Sequence, residues 1–126
     1  MIKITDCNKI TIDRFDEGVN LNFNIKNPDG TPFDLLGYDA QFIVKADKDK
    51  ADSTAIYDTI DELTIDVANS TIKVTVREKL SSNKAGGYYY ALRLLKDKGV
   101  EGNYGFVYTP IQGHLYIKDN VFESGV

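Results

Sequence analysis

The sequence predicts an all-β fold, a single antiparallel β-sandwich of about seven or eight strands. Two features lead to it. Apolar and polar residues alternate with a period of two in several short runs, and those runs are separated by Asn, Asp, Gly and Pro at turn spacing. Helix-forming periodicity is confined to one short stretch, so little helix is expected.

The first strand is Val19-Asn20-Leu21-Asn22-Phe23-Asn24-Ile25, in which every second residue is apolar and every intervening one is asparagine. One face belongs on a core and the other in water. Asn27-Pro28-Asp29-Gly30 then combines a fixed φ with a glycine free to take positive φ, which reverses the chain. After Thr31 to Gly37, alternation resumes from Tyr38 to Lys45, with Ala40, Phe42 and Val44 on one side. Asp47-Lys48-Asp49-Lys50-Ala51-Asp52 has no apolar period and reads as a solvated loop leading to a short strand near Ala55 to Thr59.

Leu63 to Val67 and Ile72 to Val76 alternate on either side of Asn69-Ser70, the pattern of a hairpin. Arg77 to Lys84 holds the helix-tolerant Glu78-Lys79-Leu80 and forms at most one turn before Gly86-Gly87 stops it. Tyr88 to Leu95 has apolar residues on both faces, which suits a central strand. Asp97-Lys98-Gly99 reads as a turn and Gly102 to Gly105 as a loop. Phe106 to Lys118 is a last strand, or a pair of strands, interrupted by Pro110 and Gly113.

Composition narrows the function. A chain of 126 residues with 42% hydrophobic and 27% charged residues folds as one ordinary domain, residues 1–126, with its core over about 9–118 and flexible ends. The net charge is −4 and the lysines are scattered, with only Arg14, Arg77 and Arg93 to offer a planar fork, so no nucleic-acid partner is expected. Cys7 is the only cysteine, which excludes an intrachain disulfide and deprives zinc of its usual thiolates. No run resembles a signal peptide or is long enough to cross a bilayer, so synthesis in a cytoplasm without membrane association is expected.

Catalytic constellations are hard to find. His114 is the only imidazole, and its alternation with Leu115 and Ile117 puts it on the polar face of a strand. Cys7 is far from it in sequence, no carboxylate stands out as an acid or base, and Gly86-Gly87 precedes a strand rather than a phosphate-binding helix. Neither an enzyme nor a cofactor is expected. The only metal arrangement on offer is calcium held by Asp47, Asp49 and Asp52. That run lacks the turn glycine and closing glutamate of an EF-hand loop, and its lysines oppose a cation. Eight tyrosines and six phenylalanines could include a contact platform, and Tyr89, Tyr104, Tyr108 and Tyr116 are the ones expected at the surface.

Two resemblances add to this reading. Leu80, Ala85-Gly86-Gly87-Tyr88 and Tyr90 resemble the approach to the penultimate strand of an immunoglobulin-like sandwich, where Gly86 and Tyr88 would form a tyrosine corner. That fold's inter-sheet cysteines and core tryptophan are absent. The chain also resembles the N-terminal domain of baseplate upper proteins and related small virion proteins of tailed phages. Asp29-Gly30-Thr31-Pro32-Phe33-Asp34-Leu35-Leu36-Gly37 is similar to their "dG-x-P-x-DL-x-G" turn, and Ala85 to Leu92 to their "aGxYyy-x-L" strand. The resemblance covers roughly residues 9–118.

It implies a non-enzymatic phage virion protein, made in the bacterial cytoplasm. Such a protein would be a capsid decoration, an auxiliary capsid or head-fibre protein, or a tail or baseplate component. Its partners would be other virion proteins and further copies of itself. Baseplate upper proteins continue into a fibre-forming region, whereas this sequence ends at Val126, which favours a decoration or adaptor role. The alternative is a carbohydrate- or receptor-binding module in which tyrosines stack on sugar rings.

Overall fold

The asparagine-interleaved run forms a strand whose apolar residues Leu21 and Phe23 are buried while Asn20, Asn22 and Asn24 face solvent. The computed structural model describes residues 3–4, 9–98 and 104–119; the side chains of residues 3, 4, 97, 98, 104 and 106 fall outside that description. In chain order the strands are β1 (Lys3–Ile4), β2 (Ile10–Asp13), β3 (Val19–Asn24), β4 (Asp39–Lys45), β5 (Tyr57–Thr59), β6 (Leu63–Asp66), β7 (Thr71–Val76), β8 (Gly86–Lys98) and β9 (Tyr104–Lys118). A single turn of 3-10 helix spans Asp52–Thr54, and one turn of α-helix, α1, spans Glu78–Ser81.

The strands form two sheets, one in the order β1-β2-β9-β8-β4-β5 and the other β3-β7-β6. With β2, β9, β8, β4 and β5 in one layer and β3, β7 and β6 in the other, the order is that of an immunoglobulin-like sandwich. Every pairing is antiparallel except that of β2 with β9, which runs parallel from Ile10↔Leu115 to Asp13↔Lys118. One apolar cluster is shared by both layers, with Ile10 and Ile12 from β2, Leu21 and Phe23 from β3, Phe42 from β4, Val74 from β7, Leu92 from β8 and Leu115 from β9. Phe42 lies at the centre of an aromatic group, with ring centroids 5.8 Å from Tyr90, 6.3 Å from Phe23 and 6.5 Å from Tyr57.

Several expectations change. No strand is expected before Val19, yet Ile10 and Ile12 are fully buried in β2; their run is short and its partner lies about a hundred positions away, at Leu115 and Ile117. Together with the two-residue β1, this brings the strand count among the described residues to nine. Asp97 and Lys98 end β8 rather than making a turn, and Gly105 lies within β9 rather than in a loop, since cross-strand pairing out to Lys98↔Tyr104 outweighs the poor strand propensity of Asp, Lys and Gly. Gly99, Gly102 and Cys7 lie outside the described residues.

The tyrosine corner is present. The Tyr88 hydroxyl donates to the Lys84 carbonyl, fixing the entry to β8. Gly86 has φ +149°, a conformation open to glycine and strained for other residues, and it turns the chain from the α1 segment into the strand. On the same side of the molecule, the Glu17 carboxylate accepts the Glu78 N–H at the start of α1, and the Arg77 guanidinium bridges Glu17 at 3.1 Å and Glu62 at 2.9 Å.

β9 is a single strand with one irregularity. Three residues of β8, Leu92 to Leu94, are matched by four of β9, from Ile111 back to Tyr108, so Thr109-Pro110 forms a bulge opposite Arg93. Proline is tolerated there because the ladder is already interrupted. The bulge also exchanges the faces of β9. Tyr108 pairs with the core residue Leu94 and stacks on Phe33 at 6.0 Å, whereas His114 and Tyr116, six and eight residues later, point out of the sandwich.

Candidate functional site

The outer face of the larger sheet gathers the side chains with the most to offer a partner. β8 and β9 pair with the register Gly87↔Tyr116, Tyr89↔His114 and Ala91↔Gln112. Since Tyr88, Tyr90 and Leu92 face the core, alternation directs Tyr89, Ala91 and Arg93 outward, and the bulge directs Gln112, His114 and Tyr116 the same way. The result is a row of rings. Tyr89 and His114 lie 5.0 Å apart between centroids, and His114 and Tyr116 lie 6.4 Å apart.

Both ends of the row carry a lysine. Lys9 Nζ sits 4.7 Å from the centre of the Tyr116 ring, and Lys48 Nζ sits 5.9 Å from that of Tyr89, within the range of cation–π attraction. Tyr116 is held close to the sheet because its cross-strand partner has no side chain. A Cβ placed on Gly87 would stand 3.3 Å from Tyr116 Cε1.

Beside Tyr89 and His114 is an open pocket of about 350 Å³. Ile43 and Ala91 supply the apolar part of its lining, Gln112 an amide, and Lys45, Lys48 and Arg93 the cationic part. One wall is fixed by Asp52. This carboxylate accepts from Arg93 at 2.7 and 3.3 Å and from Lys45 at 2.9 Å, and Lys45 also donates to the Lys50 carbonyl at 2.9 Å. The 46–56 segment is thereby tied to the strands, and Ile43 is 1% exposed although it faces away from the shared core. Hydrogen bonds from Arg93 and then Lys45 hold the Asp52 carboxyl well below the usual carboxylate range.

Two of the three aspartates considered for calcium are engaged by the protein itself. Asp52 is committed to Lys45 and Arg93, and Asp47 accepts the Asp49 N–H at 3.0 Å in a local turn. Among the described residues no three His, Cys, Asp or Glu side chains converge as a cation would require. Of the four tyrosines expected at the surface, Tyr89 and Tyr116 meet in the ring row, with Tyr89 half-buried and Tyr116 39% exposed. Tyr108 is 36% exposed but belongs to a separate group with Phe33 and Tyr38, and the Tyr104 side chain lies outside the described residues.

His114 was expected only as a polar-face residue, and it is exposed between the two tyrosines. Its membership in the row, with that of Lys9 and Lys48, depends on pairings that join distant parts of the chain, for which alternation alone gives no signal. Chemically, the arrangement is suited to contact. The imidazole meets rings, and the nearby carboxylate is occupied by two cations. Among the described residues no helix is long and apolar enough to cross a membrane. No protein-family model matches the chain, and a search of curated proteins gives no match.

Proposed function

We propose that this protein is a non-enzymatic component of a tailed-phage particle that works through protein–protein contacts made by the outer face of its larger sheet. The observation that carries this reading is the Tyr89–His114–Tyr116 row, with Lys9 and Lys48 at its ends. Aromatic residues concentrate binding energy at protein interfaces, and these are mounted on paired strands whose register limits the entropy lost on docking. The phage assignment rests on the resemblance carried by the Asp29–Gly37 turn motif and the Ala85–Leu92 strand motif.

Two measurements test it. Quantitative mass spectrometry of purified particles counts the chain against the major capsid protein, with a near-stoichiometric ratio expected for a decoration and a low fixed ratio for a tail, baseplate or fibre part. In a complementation assay, Tyr116→Ala and Tyr89→Ala lower incorporation of a chain that still folds. Absence of the chain from particles removes this reading.

The pocket favours a second reading, a carbohydrate- or receptor-binding module. At about 350 Å³ it matches the size of small-ligand sites, and Tyr89 and Gln112 provide a stacking face and an amide for hydroxyls. A glycan screen with saturable binding that is lost in Tyr89→Ala would promote it.

A further inference from the structure

Among the described residues the smaller sheet ends at β3, which pairs with β7 on one side only. The Ile25 N–H donates to the Ser70 carbonyl at 2.9 Å, so Ile25 belongs to the residues whose backbone groups face β7. By alternation Phe23, Leu21 and Val19 face the same way, and the N–H and C=O of Asn20, Asn22 and Asn24 face the open edge. The following hairpin closes on Ile25, whose carbonyl accepts the Phe33 N–H while its own N–H is bonded to Ser70, just before β7. Val19–Asn24 contains neither the charged residues nor the prolines that commonly blunt an edge strand.

We propose that this edge pairs with the same edge of a second copy of the chain, antiparallel about a two-fold axis at Asn22. The inference goes beyond the role proposed above by naming both a partner and a surface distinct from the ring row.

The side chains identify the partner. A residue on a two-fold axis meets itself, so a lysine or a glutamate there would repel its copy, whereas a neutral amide is donor and acceptor at once. In this register Asn22 faces Asn22 and Asn20 faces Asn24 of the second copy. Asn22 and Asn24 make no side-chain hydrogen bond to any described residue, and Asn20 uses its oxygen to accept from Thr75 at 3.0 Å, leaving its amide protons available. The nearest like charges on that face are the two copies of Lys73, which pairs with Asn22. They would stand three strand spacings apart, roughly 14 Å, beyond the screening length at physiological salt.

Each copy offers three N–H and three C=O groups, so six backbone hydrogen bonds would join two three-stranded sheets into one. An edge contact of this kind belongs with small interfaces, under about 1,200 Å², and is therefore weak and concentration-dependent in the free protein.

Sedimentation equilibrium across concentrations up to about 1 mM, a range suited to such small interfaces, tests this directly. The wild-type mass is expected to rise from 14.1 kDa toward twice that value. Asn22→Lys is expected to weaken association by about tenfold or more, through like charges set against each other. Mixing it with Asn22→Glu restores the dimer, which also shows that both variants fold. Asn22→Pro removes an N–H that faces away from β7 and should leave a folded monomer by its amide spectrum. A wild type that stays at 14.1 kDa, or an Asn22→Lys protein that associates equally well, overturns the inference. A chain that is found in particles yet stays monomeric when free overturns it while leaving the assembly role intact.

Discussion

Asp52 and Arg93, forty-one positions apart, are joined by two hydrogen bonds of 2.7 and 3.3 Å that bind a charged loop to a central strand. Asp52→Asn keeps the shape of the side chain but removes its charge. The Asp52 side chain is 49% exposed, so water and salt screen the pair, and the expected loss is about 0.5 to 1 kcal/mol in urea unfolding. Faster hydrogen exchange should be confined to the 46–56 segment.

The same pair sets an acid dependence. Asp52 titrates lower in the folded than in the unfolded chain, so its contribution is fully present above about pH 4 and is lost as pH falls through its depressed folded value. Wild type should therefore lose stability on acidification more steeply than Asp52→Asn. Parallel curves from pH 6 to pH 2 would mean that Asp52 does not contribute.

Tyr88→Phe removes only the hydroxyl that donates to the Lys84 carbonyl. A loss of about 1 kcal/mol is expected, the usual worth of such a bond, with an unchanged denaturant slope because the exposed surface is the same.

Gly87→Ala places a methyl group 3.3 Å from Tyr116 Cε1. The ring is a side chain at the surface and can yield, so the cost stays under about 1 kcal/mol. The readout is local: Tyr116 ring-proton resonances shift, and any partner that uses the ring row binds more weakly than it does to wild type.

Burial alone pushes the Tyr90 phenol up to about 12, and burial and then Glu62 push Tyr57 up as well. A raised folded value means that stability is intact below the unfolded value near pH 10 and is lost as pH rises toward the folded one. Ultraviolet titration should show these two tyrosines ionising late, together with alkaline unfolding. Tyr90→Phe should extend the folded range upward.

Much of this fold is written in local pattern. Asn20, Asn22 and Asn24 alternate with buried neighbours as the sequence implies, and Gly86 with Tyr88 announces the tyrosine corner. What local pattern cannot carry is register. Ile10-Thr11-Ile12 is too short to stand out, and it is made a strand by Leu115 and Ile117 across a parallel ladder. The site depends on one extra residue at Thr109-Pro110. Without that bulge His114 would pair with Tyr88 and face the core, so the ring row would not exist. Tyr89 and Tyr116 are recognisable as surface aromatics, but their meeting through His114 is a property of the paired strands.

The parallel ladder between β2 and β9 has a mechanical consequence. Tension applied through residues before Ile10 and after Lys118 pulls the two strands in opposite directions along their length. That loads the hydrogen bonds in shear, so they must fail together, whereas a hairpin pulled open at one end unzips bond by bond. Resistance to such force is governed by the unfolding rate rather than by equilibrium stability. The four-residue seam from Ile10↔Leu115 to Asp13↔Lys118 is therefore a clamp, suited to a module that must stay folded while its two ends are drawn apart.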